Sequence, residues 1–135
     1  MKSILVTGGA GFIGSHTCLL LLEKGYEIFI IDSFINSSYK SIKRISEILK
    51  LQGINTEGRI YLVKGDLKKK SDIEKVFEMS FKLKKNIESV IHFAGLKSVS
   101  DSVKMPLNYW ENNLNGTINL LIVMEKYNCK NIIFS

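Results

Sequence analysis

Several features that would place a chain quickly are scarce here. Of 135 residues, two are cysteine and one is proline. Cys18 and Cys129 lack the paired spacing of zinc or redox motifs. Neither a disulfide framework nor a metal site is expected, and the cytoplasm is the default compartment. No apolar run reaches the roughly 18 residues of a membrane span, since "LLLL" at Leu19–Leu22 is short and sits within a helical pattern. The opening "MKSILVTGG" has no long apolar region or cleavage site, so it does not read as a signal peptide. There is no internal repeat and no low-complexity segment. An excess of acid is absent too, with 19 Lys+Arg against 13 Asp+Glu giving +6. The lysines are scattered, and only "LKKKSD" at Leu67–Asp72 approaches a cluster. A basic face with interleaved aromatics, as nucleic-acid binding requires, is missing. No nucleic-acid or membrane partner is therefore expected, while the positive field helps draw in a polyanionic small molecule.

What remains is a hydrophobic fraction of 45%, enough for the core of one domain. Strand and helix patterns alternate. Strands are expected over Ile4–Thr7, Glu27–Asp32, Arg59–Lys64, Glu88–Phe93 and Asn131–Ser135. Helices are expected from Phe12 to Lys24, stopped by Gly25, and over Tyr39–Leu51, where Ile42, Ile45 and Leu49 share a face. A third helix opens on a capping box of Ser71 and Glu74, and a long fourth one runs from Pro106 to near Tyr127. Near-continuous apolar strands imply burial on both faces. That is an α/β fold, a Rossmann-like doubly wound parallel sheet with helices on both faces. The last strand ends the sequence in core-like material, "KNIIFS", where a soluble domain ordinarily finishes in something polar. The sheet is expected to be truncated after this fifth strand.

"VTGGAGFIGSH" joins the first strand to the first helix. Gly9, Gly11 and Gly14 satisfy G-x-G-x-x-G, and Gly8, Gly11 and Gly14 satisfy a wider variant. One glycine permits the sharp turn, one removes the Cβ that would strike a pyrophosphate, and Gly14 lets helix and strand pack closely. The helix start then offers unpaired N–H groups and about half a positive charge to an anion. A glycine pattern alone also fits a structural turn. Here it follows a strand, opens a helix and begins a βαβ unit, which is the context that dinucleotide binding requires. Asp32 ends the second strand 18 positions after Gly14, near the offset of a ribose-binding acid. Its charge would repel a 2′-phosphate by about 4 kcal/mol at 4 Å and an effective dielectric of 20, and "SFINSS" offers no arginine to offset that. The cofactor expected is NAD rather than NADP; the alternative for Asp32 is a strand-end cap. Asp66, ending the third strand, either caps a turn or meets the adenine amino group.

A second constellation is "VIHFAGLKSVSDSV", Val90–Val103. Ala94 and Gly95 are small enough for backbone to lie against a flat ligand. Lys97 is either a solvated lysine or a contact to phosphate or ribose. His92 lies within a strand and reads as a hydrogen-bonded structural histidine rather than a base. In "YWENNLNGT", Asn112, Asn113 and Asn115 are poor helix formers, so some should bond across to loop backbone, and Gly116 should permit close helix approach. Tyr109 and Trp110 read as core or interface.

Taken together, "LVTGGAGFIGSHT", "VIHFAGLKSVSDSV", "PLNYWENNLNGT" and "NIIFS" resemble the amino-terminal part of the UDP-glucose 4-epimerase family, which are extended short-chain dehydrogenases/reductases. The resemblance covers nearly the whole chain and implies tightly held NAD. It puts Gly8, Gly11, Phe12, Ile13 and Gly14 around the pyrophosphate, and Asp32, Ser33, Asn36 and Ser37 around the adenosine ribose. Asp66 and Leu67 would line the adenine. Phe93, Ala94, Gly95 and Lys97 would line the nicotinamide side, with Asn112 and Ser135 as further contacts. Ser33 departs from the asparagine associated with its position. The family reaction interconverts UDP-galactose and UDP-glucose, in galactose metabolism, through a transient 4-keto sugar. Its base is a tyrosine of a Tyr-x-x-x-Lys motif that follows the serine run begun by Ser135, and family members are commonly homodimers. The one such match present, Tyr39 to Lys43, lies at the adenosine end and is not the catalytic pair. The chain therefore reads as one NAD-binding domain, residues 1–135, without catalytic pair, sugar-nucleotide domain or metal. Two other readings stand beside it: another NAD-dependent nucleotide-sugar dehydratase or reductase, and a non-catalytic dinucleotide-binding module.

An apolar fifth strand at a sheet edge invites self-association. The 135-residue chain is expected to be poorly soluble or to associate with a complementing fragment. A monodisperse monomer with cooperative thermal unfolding in size-exclusion and calorimetric runs would contradict this.

Overall fold

In the computed structural model, which describes residues 1–34, 37–93, 106–107 and 111–135, five parallel strands form one sheet. They are β1 (Ser3–Thr7), β2 (Glu27–Asp32), β3 (Ile60–Lys64), β4 (Ile87–His92) and β5 (Asn131–Phe134), ordered β3-β2-β1-β4-β5. The helices are α1 (Phe12–Glu23), α2 (Tyr39–Leu51), α3 (Lys70–Lys82) and α4 (Gly116–Lys126), the last preceded by a π-helical turn at Glu111–Asn115.

The strand sequences explain the layering. Every residue of β1 and β2 is buried, so successive side chains must enter opposite cores. Leu5, Phe29, Ile31 and Val90 meet Ile73, Phe77, Leu120 and Val123 of α3 and α4. Ile4, Val6, Ile28 and Ile30 meet Cys18, Leu22, Ile45 and Leu49 of α1 and α2. The doubly wound arrangement is thus present. The chain runs outward from β1 through β2 to β3, then returns to place β4 against the other side of β1. This reversal opens a crevice at the carboxyl ends of β1 and β4, where Thr7 pairs in register with His92.

Three local expectations need correction. The Ser71–Glu74 capping box does not form: α3 begins at Lys70 with no side-chain cap. Asp72 of that first turn and Glu74 after it are both used elsewhere. Asp72 accepts from the Asp66 amide at 2.9 Å, and Glu74 pairs with Lys126 of α4 at 3.6 Å. Arg59 precedes β3 instead of opening it. Its guanidinium turns back to donate to the Leu22 and Tyr26 carbonyls, closing the end of α1. The long helix from Pro106 is not continuous α-helix. Pro106 and Leu107 are helical, but the turn at Glu111–Asn115 is wider, and Thr117 Oγ1 donates to the Asn113 carbonyl at 2.7 Å at the junction. Asparagine's weak helix propensity makes this the place where the helix departs from regular geometry.

β5 forms one edge of the sheet, with Ile133 and Phe134 more than half exposed. Both cysteines are free and buried. Burial pushes the Cys18 thiol up to about 12 and also raises Cys129, against a smaller opposing hydrogen bond with the Asn131 backbone. Neither is a nucleophile near neutral pH. Among the described residues no helix is long and apolar enough to cross a membrane.

At the amino-terminal end of the sheet, Lys85 ties four segments together. Its ammonium pairs with the buried Glu27 carboxylate and donates to the Tyr61 hydroxyl at 2.9 Å and the Gly58 carbonyl at 2.8 Å. Ser3 donates to the other Glu27 oxygen. The hydrogen bonds with Glu27 and Tyr61 raise the lysine's pKa above its ordinary 10.5. A raised lysine pKa stabilises the fold below the unfolded value, and the contribution is lost as pH climbs through the folded value. Lys85→Met is therefore expected to lower stability by about 1–2 kcal/mol at neutral pH. In thermal melts the gap to the unmutated chain should hold from neutral pH up to about pH 10 and close above it. A gap that already closes between about pH 7 and about pH 9 would exclude this account.

Candidate functional site

Gly8 begins the turn after β1 with φ of 70°, a conformation that glycine adopts without strain. Its amide returns to the Ile31 carbonyl at 2.8 Å. The Gly11 amide then bonds the Gly8 carbonyl, and the Ser15 amide bonds that of Gly11, which starts α1. Gly11 is the N-cap and provides no side-chain acceptor, and the first turn holds no acid. The amides of Phe12, Ile13 and Gly14 therefore begin a helix without a carbonyl one turn earlier and without an acidic side chain within the turn. The Phe12 and Ile13 side chains stand in solvent.

The glycines divide their work differently from the expectation. A Cβ at Gly14 would lie 2.2 Å from the Gly8 carbonyl oxygen, so Gly14 lets the loop fold on its own backbone. Close packing of loop on strand falls instead to Gly9, whose Cβ would meet Ile30 Cγ2 at 2.8 Å. At Gly11 a Cβ would meet only the Gly8 oxygen, at 3.3 Å. Its bareness serves the open side of the loop, where an incoming group could approach backbone.

Asp32, at the end of β2, is 8% exposed and holds three hydrogen bonds from described residues. Oδ2 accepts from the Ala10 amide at 3.0 Å; Oδ1 accepts from the Phe34 amide at 2.8 Å and from Ser37 Oγ at 2.9 Å. The capping alternative is thus realised. A carboxylate has about four acceptor positions, so it still has room for a ligand hydroxyl. The turn it caps puts Phe34 in the left-handed region (φ 61°) with its ring stacked on Tyr39 at 4.1 Å. Ser33 lies in this turn. Tyr39 and Lys43 are both on α2, which follows this turn.

After β3, Asp66 closes a tight turn: its Oδ1 accepts from the Lys68 amide at 2.9 Å and its carbonyl from that of Lys69. Oδ2 has no partner among the described residues. The Leu67 side chain enters the core at 9% exposure, so only its backbone is available at the turn's surface. At β4, His92 lies between two threonines, with Nδ1 2.6 Å from Thr7 Oγ1 and Nε2 3.0 Å from Thr117 Oγ1. It is a bonded structural histidine, as expected. The Phe93 amide donates to the Thr7 carbonyl and hydroxyl, and the Ser135 amide to the His92 carbonyl at 3.2 Å. The structure thus places Gly8, Gly11, Phe12, Ile13, Gly14, Asp32, Ser33, Ser37, Asp66, Leu67, Phe93 and Ser135 in the loops, the strand ends and the first turn of α1, at the carboxyl side of one sheet. Asn36, Ala94, Gly95 and Lys97, and also Tyr109 and Trp110, lie outside the described residues, as does the side chain of Asn112. No group of three or more His, Cys, Asp or Glu among the described residues could hold a metal ion.

Three supporting residues escaped the sequence reading. Thr7 is simply the last residue of an apolar strand. Ser41 Oγ donates to the Ala10 carbonyl at 2.8 Å, but its position in α2 looks like an ordinary exposed face. Asn119 Nδ2 donates to the Leu67 and Lys68 carbonyls at 2.9 and 3.0 Å. The expectation of asparagines bonding to loop backbone was directed at the run before it. Volume does not mark the site. A depression of about 1120 Å³, lined by Lys2, Asn86, Glu88, Lys126, Lys130 and Asn131, opens at the opposite end of the sheet.

A profile of the family described as GDP-mannose 4,6 dehydratase matches residues 5–135. A bifunctional UDP-glucose 4-epimerase and UDP-xylose 4-epimerase from Pisum sativum is 48% identical over 134 residues, 99% of this chain and 36% of that protein. UDP-glucose 4-epimerase from Bacillus subtilis is 47% identical over 98% of this chain and 36% of its own length. The crystal structure of UDP-glucose 4-epimerase from Bifidobacterium longum with NAD+ and UDP superposes with a TM-score of 0.84 at 42% identity. It covers 99% of this chain and 36% of the other. This chain thus spans about a third of the length of the relatives it matches.

The loop geometry separates two substitutions that look alike on paper. Gly14→Ala must displace backbone and is expected to lose about 2–4 kcal/mol, as overpacking and strain do. Gly11→Ala should fold with a loss of about 1 kcal/mol or less. Urea unfolding of both variants checks this, and equal losses would contradict the geometry.

Proposed function

The chain belongs to the GDP-mannose 4,6 dehydratase family, and on that premise we propose that it is the NAD-binding part of a UDP-hexose 4-epimerase. The observation that carries the reading is the uncapped first turn of α1 beside the Asp32 carboxylate, at the carboxyl end of the sheet next to its switch point. These residues fit a dinucleotide on their own chemistry. Phe12 and Ile13 would give main-chain N–H groups to the diphosphate, with Gly8, Gly11 and Gly14 permitting the approach. Asp32 would accept from the adenosine ribose hydroxyls, with Ser33, Asn36 and Ser37 around it. Asp66 Oδ2 would accept from the adenine amino group above the Leu67 backbone. Phe93, Ala94, Gly95, Lys97, Asn112 and Ser135 would border the nicotinamide end. The names of the relatives, epimerases described with NAD and with UDP, support the same cofactor and a UDP-hexose substrate.

When bound, NAD would supply a hydride acceptor for C4 of the hexose and return the hydride to the other face. The residues of this chain bind and orient; they remove no proton. The base would be the tyrosine of a Tyr-x-x-x-Lys pair in the whole protein, beyond the serine run begun by Ser135, together with a sugar-nucleotide domain. Residues 1–135 would then form the dinucleotide-binding domain of a homodimeric enzyme, and its two buried thiols suit the cytoplasm. The chain alone would bind NAD without turnover.

Isothermal titration is expected to give NAD a Kd at least tenfold lower than NADP, with Asp32→Asn narrowing that ratio as charge repulsion falls. A preference for NADP, or no uptake of either, overturns the cofactor assignment. The complete protein is expected to convert UDP-galactose to UDP-glucose. A dehydrated 4-keto-6-deoxy product would point to a dehydratase instead.

A further inference from the structure

Asn119 stands in the first turns of α4, some 50 residues from the loop it touches. Both protons of its amide nitrogen are engaged, one on the Leu67 carbonyl and one on that of Lys68. One turn earlier, Gly116 lies so near the same loop that a Cβ there would be 3.1 Å from Leu67 Cβ. Thr117, between them, contacts His92 at the end of β4. The first turns of α4 therefore brace the turn after β3 and the end of β4 together.

We infer that Asn119 is a positioning residue for adenine recognition, aiming the Asp66 carboxylate through a rigid peptide plane. The inference rests on the dinucleotide reading above. The Leu67 carbonyl and the Lys68 N–H belong to one peptide group, which is planar and does not twist. Asn119 fixes the carbonyl end of that plane. The other end, the Lys68 N–H, donates to Asp66 Oδ1 at 2.9 Å. Fixing Oδ1 fixes the plane of the carboxylate, and with it the direction of Oδ2. The Asp66 amide is separately held by Asp72 on α3, so the backbone of Asp66 is anchored whether or not Asn119 is present. What Asn119 adds is orientation of the side chain. Without its two donors the Leu67 and Lys68 carbonyls would turn toward water, the plane would rotate, and Oδ2 would lose its aim. Burial of Leu67 in the core and its contact with Gly116 would persist.

The test compares NAD with its hypoxanthine analogue, in which a carbonyl oxygen replaces the adenine 6-amino group. Titrated into the complete protein, NAD is expected to bind roughly tenfold more tightly, the value of one ordinary hydrogen bond. In Asn119→Leu, which keeps the volume and removes the donors, that ratio should fall to near one, while Asn119→Gln should retain part of it. A merely structural asparagine would weaken both ligands equally; an unchanged ratio in Asn119→Leu, or no discrimination by the unmutated chain, overturns the inference. Uptake of neither dinucleotide by the unmutated chain overturns the dinucleotide reading itself. Amide hydrogen exchange then decides the Asn119 part separately. Asn119→Leu should speed exchange at Lys68 at least tenfold with the Asp66 amide unaffected, and unchanged protection at Lys68 refutes it.

Discussion

The hydrogen bond from the Ala10 amide to the Asp32 carboxylate joins two loops that the sheet alone would leave independent. A nearly buried carboxylate is costly unless it is hydrogen-bonded, and here the Phe34 amide and Ser37 hydroxyl add two further bonds. Ser41 holds the carbonyl on the other side of Ala10. Two successive peptide planes of the glycine loop are thus fixed from β2 and α2. The open face of Gly11 and the first-turn amides of α1 keep their direction because of this bracing. Removing the carboxylate would release the loop as well as a ligand contact, so Asp32 serves structure and recognition with the same atoms.

The other side of the crevice is organised in the same manner. α4 reaches the strand end through Thr117 and the turn after β3 through Asn119. The candidate site is therefore built from loops whose main-chain groups are fastened by side chains of neighbouring helices. Loops held in this way stay in place before any ligand arrives, which lowers the ordering cost of binding.

The sheet, its parallel sense and the helical layers were legible in the sequence because apolar runs and glycine punctuation are local signals. β2 and α2 have the boundaries expected from pattern alone. The glycine loop and Asp32 were legible because spacing restricts what they can do. The capping box at Ser71 was not, because Glu74 has a distant alternative partner in Lys126 that no local pattern records. The close packing expected of Gly14 falls to Gly9 for a similar reason: which atom a missing Cβ would strike depends on Ile30 and on the loop's own path. Ser41 and Asn119 act across 31 and 52 positions of sequence. An asparagine in a helix says nothing about a carbonyl that folding brings beside it.

The wide turn at Glu111–Asn115 has a bearing on how this scaffold could change over generations. A π-helical turn holds one residue more than an α-helical one. Deleting a single residue there would let α4 extend backward as ordinary helix. α4 itself would not turn, being locked at Thr117 and Asn119. A one-residue change in length can thus be absorbed at this turn, without disturbing the packed core behind it.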